Sequence, residues 1–315
     1  MKLSVIIPCY NEENNVELIY NEIKNNFKKI KDYEIIFIND GSKDNTIDNL
    51  KHINKRAHEN IKIINFSRNF GKEAAMYAGL KESRGEYVSI IDADMQQDPK
   101  LVLEMVDFLD QHSDYDSVAT FQKVRKEGKM LTFFKDCFYK IINKLSETSF
   151  IQGASDFRTF RRSMVDSILS LGEYYRFSKG IFSWVGYNTY YMPYEVKERA
   201  TGQTTWSFWK LFKYAVEGIV SFSTAPLRLA TFIGLISSFV SVIYLLVVII
   251  QKIFFSISVP GYATIVVLIL LIGGLQLFSL GLLGEYVART YVETKKRPIY
   301  IAKEIIYNSK DEIND

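Results

Sequence analysis

Four short apolar runs mark the first hundred residues, and each gives way to a polar cluster. Leu3 to Pro8 leads into Cys9-Tyr10-Asn11-Glu12, and Tyr33 to Ile38 into Asn39-Asp40-Gly41-Ser42. Ile61 to Phe66 leads into Ser67-Arg68-Asn69-Phe70-Gly71-Lys72, and Tyr87 to Ile91 into Asp92-Ala93-Asp94-Met95-Gln96. Runs of this length read as strands, and their near-continuous apolar character indicates burial on both faces. Helix-like segments lie between them: Glu13 to Phe27, the stretch after Ser42, and Lys72 to about Lys81. The alternation predicts a parallel sheet covered by helices, with right-handed crossovers bringing all four strand ends to one edge. Asp98-Pro99 reads as the N-cap and first position of the next helix. Ser117 to Phe121 is expected to be a fifth strand, and Ser163 to Leu171 a helix.

The pattern changes in the second half. Lys129 to Leu145 and Trp206 to Phe222 carry apolar residues at helical spacing, with lysines alongside. The first fits an amphipathic helix on the domain or at a membrane surface. The second, with Trp206 and Trp209 ahead of a hydrophobic stretch, fits a helix at headgroup level. Ala230 to Gln251 holds no charged residue and as a helix measures about 30 Å, the thickness of a hydrocarbon core. Ile253 to Gly284 is again uncharged, and Pro260-Gly261 makes a turn before a second span from about Tyr262 to Leu283. Lys210, Lys213 and Arg228 precede the first span, and Arg289, Lys295, Lys296 and Arg297 follow the second. The positive-inside rule then places both flanks in the cytosol. The expected organisation is a catalytic domain over 1–205, a juxtamembrane helix over 206–228, two membrane helices over 229–284 and a tail over 285–315. The run before Pro8 is too short for a signal-peptide core, so the domain and both termini are expected to be cytosolic.

Composition sharpens this only a little. The 315 residues are 48% hydrophobic and 24% charged, and the excess of apolar residues lies after Leu229. A net charge of +3, without a basic stripe interleaved with aromatics, gives no ground for a nucleic-acid partner, and none is expected. Cys9 and Cys137 lie far apart, so neither a disulfide framework nor a zinc site is indicated.

The chemistry gathers at the four strand ends, the edge where open α/β sheets bind ligands. Asp94 and Gln96 supply hard oxygen donors on a loop, which suits Mg²⁺ or Mn²⁺ carried on a diphosphate. The bland reading of a bare D-x-D is a capped turn with solvated acids. Asp92 would face the nucleotide sugar, Tyr10 stack on a base, Asp40 accept from a base N–H and Glu12 hold ribose hydroxyls. Asn11, Ser42 and Lys72 complete the set. Neither G-x-G-x-x-G after the first strand nor G-x-x-x-x-G-K-[ST] is present, which argues against a dehydrogenase or a P-loop enzyme.

Val5 to Glu12, Asn39 to Ser42, Ser67 to Lys72, Asp92 to Gln96 and Ser155-Asp156-Phe157-Arg158 together resemble the polyprenyl-phosphate glycosyltransferases of glycosyltransferase family 2. The likeness extends to the bactoprenol glucosyltransferase and dolichyl-phosphate mannose synthase-like branches, and Ser221 to Arg228 is similar to the approach to their first span. The resemblance implies a GT-A α/β domain and inverting transfer of one sugar from a nucleotide sugar to a polyprenyl phosphate, undecaprenyl or dolichyl. The donor would be UDP-glucose or UDP-N-acetylglucosamine, and a homo-oligomer is compatible with it. By the same resemblance Pro8, Ile38 and Ala93 join the nucleotide site, and Asp94 and Gln96 bind metal. Arg125 and Arg199 meet phosphates, with Lys123 and Arg158 as further phosphate candidates, and Asp156 lies on the acceptor side as base or orienting group. Asn39 stands where relatives often have aspartate, and Thr205 where many have a phosphate-binding lysine. Two other readings remain: a non-catalytic nucleotide-sugar binder tethered to the membrane, and a processive polysaccharide synthase. The latter would carry Q-x-x-R-W and more spans, and this sequence has neither.

Overall fold

A computed structural model describes residues 1–30, 32–122, 143, 151, 153–194, 220, 223–255 and 261–308. The helices expected over Lys129–Leu145 and Trp206–Phe222 therefore lie outside the described residues, apart from Asn143 and Val220.

The four apolar runs form β1 (Leu3–Cys9), β2 (Tyr33–Asn39), β3 (Asn60–Phe66) and β4 (Tyr87–Ile90). They pair in parallel in the order β4-β1-β2-β3, with Leu3 opposite both Tyr33 and Tyr87. The chain thus steps outward from β1 to β3 and returns to the far side of β1 for β4. The crevice between the ends of β1 and β4 is the point where strand order reverses.

Alternation along β1 accounts for the burial on both faces. Leu3, Val5, Ile7 and Cys9 point to the layer of α1 (Val16–Asn26), α2 (Thr46–Arg56) and α4 (Lys100–Gln111). Ile6 points to the layer of α3 (Lys72–Glu82), α5 (Arg162–Ser170) and α6 (Ser178–Trp184). Ala74, Ala75, Ala78 and Gly79 let α3 lie close on β1 and β2. A Cβ on Gly79 would sit 2.3 Å from Cγ2 of Ile6 and 3.1 Å from Cδ1 of Ile38. That close approach sets where the N-terminus of α3, and hence Lys72, meets the sheet edge.

The sheet is wider than the apolar pattern predicts and is mixed. Ala154–Arg161, which carries no continuous apolar run, is β6, antiparallel to β4. β5 (Ser117–Gln122) pairs antiparallel with β6, and β7 (Thr189–Tyr194) parallel with β5. At the opposite edge β8 (Ala302–Tyr307) runs antiparallel to β3. Two helix starts also shift. α1 begins at Val16 rather than Glu13. Pro99 rather than Asp98 occupies the N-cap of α4, although the Asp98 carboxylate still accepts from the Lys100 N–H at 3.0 Å.

The two uncharged stretches become α7 (Ala225–Phe255) and α8 (Tyr262–Thr294). Both are long and apolar enough to cross a membrane, and none of their apolar windows is covered by the rest of the chain. Phe239, Leu270 and Leu277 are each about seven-tenths exposed, a surface that water would not tolerate over such a length. α8 continues past the uncharged stretch into Glu285, Arg289 and Glu293. Replacing Gly79 by Val adds only a few tenths of a kcal/mol of helix propensity while forcing carbons into Ile6. Gly79→Val is expected to lower stability by about 1–3 kcal/mol, read as a drop in Tm of the full-length protein in detergent.

Candidate active site

The reversal point holds a three-charge arrangement. Lys72, first residue of α3, places its Nζ 2.6 Å from Oδ1 of Asp92 and 3.2 Å from Oδ2 of Asp156. Asp92 stands just past β4 and Asp156 lies in β6, so the lysine joins three elements. Gln97 holds Asp92 from the other side: its Oε1 accepts from the Asp92 N–H at 2.8 Å, and its Nε2 donates to Oδ2 at 2.9 Å.

The charges set each other's protonation. Burial pushes the Asp156 carboxyl up, but Lys72, Lys179 and Arg158 outweigh it and hold the group at about 2. Burial likewise pushes the Lys72 ammonium down, and the charges of Asp92 and Asp156 reverse this and raise it well above the usual lysine range. Because 42% of the Lys72 side chain remains open to solvent, water screens part of that interaction. Glu73, next in α3, accepts from the Ser178 N–H at 3.0 Å and from the Ser178 hydroxyl. Burial and then the charge of Asp156 push its carboxyl up to about 7, against those two hydrogen bonds and Lys72.

Loops from the neighbouring strands close the crevice. Asp40 is turned inward, 3% exposed, and its two oxygens accept from the Phe70 N–H at 2.6 Å and the Gly71 N–H at 3.0 Å. It tethers the loop that delivers Lys72. Gly41 has φ of +63°, and a Cβ there would fall 2.4 Å from the Arg68 carbonyl carbon, so only glycine lets these loops touch. Asn11 and Ser42 tie the β1 and β2 loops together: Oγ of Ser42 accepts from the Asn11 N–H, and Oδ1 of Asn11 from the Lys43 N–H, both at 2.9 Å. Glu12 accepts from Nδ2 of Asn15 at 2.6 Å, and Tyr10 stands 44% exposed at the mouth. Pro8 lies opposite Ile38 in the β1–β2 register. The side chains of Ile38 and Ala93 are buried, one in each core layer beneath the crevice.

Asp94 and Gln96 flank Met95, whose φ of 62° is left-handed, and the Gln96 N–H donates to Oδ1 of Asp94 at 3.2 Å. The turn therefore ties the Asp94 carboxylate to the Gln96 backbone at the end of β4. Among the described residues no group of three or more His, Cys, Asp and Glu side chains could hold a metal ion. A carboxylate and an amide oxygen on one turn instead fit a hard divalent ion that keeps most of its ligands from water and phosphate. Arg158 is 4% exposed, donates from Nη2 to the Ser155 carbonyl at 2.9 Å and stacks 4.5 Å from the Phe182 ring. It lies behind Asp156 rather than at the surface. Lys123, Arg125 and Arg199 fall outside the described residues.

The family description "Glycosyl transferase family 2" matches residues 4–169, which span the crevice and all three charges, and "GtrB C-terminal hairpin" matches residues 225–290. The chain belongs to glycosyltransferase family 2. It is a glycosyltransferase with a GT-A-like α/β fold and two apolar C-terminal helices. It is 43% identical to the putative glycosyltransferase CsbB of Bacillus subtilis over 98% of this chain and 93% of that protein. It is 39% identical to a prophage bactoprenol glucosyl transferase homolog of Escherichia coli, over 97% of this chain and 99% of that one. Against the bactoprenol glucosyl transferase of Shigella phage SfX it is again 39% identical, over 96% of this chain and 99% of the relative. Among solved structures, glucosyl-3-phosphoglycerate synthase from Mycobacterium tuberculosis with UDP is similar at 17% identity, over 70% of this chain and 78% of that one, with a TM-score of 0.48.

Sequence reasoning missed four residues around the cluster: Gln97, Glu73, Ser178 and Lys179. Gln97 had a signal, an amide directly after the D-x-D-x-Q turn. Glu73 had only its place beside Lys72, and Ser178 and Lys179 had none: Ser178 meets Glu73 about a hundred positions away, and Lys179 acts on Asp156 from a different element.

With its folded-state carboxyl held below the unfolded value, Asp156 stays ionised above about pH 4. The stabilisation it gains is lost as pH falls toward 2. Lys72→Met removes the main opposing charge and leaves burial to act. Activity is expected to fall by about a hundredfold or more, and the acid limb of the pH–rate profile to move upward. Steady-state kinetics from pH 4 to 8 checks both, and an unmoved acid limb counts against the pairing.

Proposed function

We propose that this glycosyltransferase moves glucose from UDP-glucose to a polyprenyl phosphate, with inversion, at the cytosolic face of a membrane. The observation that carries this reading is the full-length relationship, hairpin included, to proteins named bactoprenol glucosyl transferase. The geometry supports it. A crevice built for a nucleotide sugar shares a chain with an apolar hairpin that would keep it beside a lipid acceptor.

The acceptor phosphate is already an anion, so its oxygen can attack C1 of the sugar without a strong base. The bond from C1 to the diphosphate breaks on the opposite face, and UDP leaves with the electron pair. Asp156, held at about 2 by its cationic neighbours, is a poor proton acceptor near neutral pH. Its work is to orient Lys72, which also fixes Asp92 against the donor. Tyr10, at the mouth, stacks on the base. Asp94 and Gln96 would hold Mg²⁺ or Mn²⁺, which when bound neutralises charge on the diphosphate. The site then has two tasks, alignment of two anions and exclusion of bulk water between them.

Membranes holding the full-length protein, incubated with one radiolabelled nucleotide sugar at a time, test this reading. UDP-glucose is expected to label a mild-acid-labile lipid, dependent on divalent metal and abolished by Asp94→Ala. UDP-N-acetylglucosamine is the competing donor. Label found only in a long polymer, or none in the lipid phase with either donor, would sink the proposal.

A further inference from the structure

The segment between α5 and α6 touches both the membrane helix and the charged cluster. The Tyr174 N–H donates to Oε1 of Glu293 in α8 at 2.9 Å, and the Arg289 guanidinium of α8 lies 5.2 Å from the Tyr175 ring. Arg176, 9% exposed, sits 4.5 Å from the Tyr77 ring of α3 and donates from Nη1 to the Leu171 carbonyl at 2.7 Å. Two residues on, Ser178 gives both its N–H and its hydroxyl to Glu73. Lys179 follows, and its charge helps hold Asp156 ionised. A continuous line of contacts therefore runs from the end of α8, through residues 174–178, to the start of α3 and the Lys72–Asp156 pair.

Glu73 is an expensive way to make this joint. A glutamine would accept the same two hydrogen bonds without a buried charge beside Asp156, and desolvated like charges raise the cost. Such local conflicts gather at functional sites. The carboxylate makes the stronger, charge-assisted pair of bonds, and its adjacency to Lys72 couples the start of α6 to the reacting cluster.

We propose that Glu73 is a positioning residue for the acceptor side of the site: through Ser178 it fixes the start of α6 against the start of α3, beside the Lys72–Asp156 pair. The 174–178 segment then keeps that joint at the height set by α8. This rests on the lipid-phosphate reading above for the identity of the acceptor, but the joint itself does not.

The test uses full-length protein in lipid nanodiscs, with Glu73→Ala and Glu73→Gln compared to wild type. Glu73→Ala is expected to raise KM for polyprenyl phosphate about tenfold, with KM for the nucleotide sugar unchanged within about twofold. Glu73→Gln keeps the acceptor oxygen for Ser178 and is expected to restore most of the loss. Hydrogen exchange over 178–184 should speed up in Glu73→Ala and return toward wild type in Glu73→Gln. Unchanged exchange in Glu73→Ala overturns the joint whether or not the lipid is the acceptor. Faster exchange with both KM values raised alike, or with only kcat lowered, overturns the acceptor-side role. Wild-type protein that transfers nothing to polyprenyl phosphate removes the functional reading, while the exchange data still decide on the joint.

Discussion

Lys72 between two carboxylates is the interaction on which the site depends. Asp92 and Asp156 arrive from strands that pair antiparallel, and without a cation between them their charges would repel across a poorly hydrated gap. The lysine cannot hold them unless α3 starts at one place. Asp40 ensures that by gripping the two N–H groups just before the helix, and Gly79 by letting α3 settle on Ile6. Much of the polarity at this edge thus shapes the crevice through hydrogen bonds between its own loops. Asn11 with Ser42 serves the same end.

That division explains what the sequence could and could not disclose. Strands β1 to β4 were legible because both faces of each are buried, which writes an unbroken apolar run into the chain. The cluster positions were legible because parallel strands with right-handed crossovers place their ends on one edge regardless of detail. β6 was not, because its charged residues do different jobs in an ordinary strand. Arg161 donates from Nε to the Tyr115 carbonyl and Arg158 lies under Phe182, so these charges are internal ties that break up the apolar run a strand would otherwise show. β8 was hidden for the opposite reason. Its alternating half-buried and exposed positions form a weak edge-strand signal, and its partner β3 lies more than two hundred residues earlier.

The tail strand also changes how the hairpin relates to the domain. After α8 the chain passes Tyr300, which stacks on Phe66 at the end of β3 with 4.9 Å between ring centroids, and the Ile301 carbonyl accepts from the Ser67 N–H at 2.9 Å. These contacts fall at the same edge of the sheet as the crevice. Lys51 and Asn65 then hold Glu304, so the strand is pinned by side chains as well as by its ladder. A domain hung from a membrane helix by a loose linker would sample many heights.

Here the last helix is held twice, by β8 at the edge of the sheet and by the Tyr174–Tyr175 contacts. Two attachments on a rigid helix remove most of the tilt that one would leave. The entropy lost in that restraint is set once, on folding, and is not spent again at each encounter with the acceptor. A lipid-borne phosphate can move in the plane of the bilayer but hardly along its normal. For such an acceptor, fixing the height of the crevice removes the one displacement that diffusion of the lipid cannot correct.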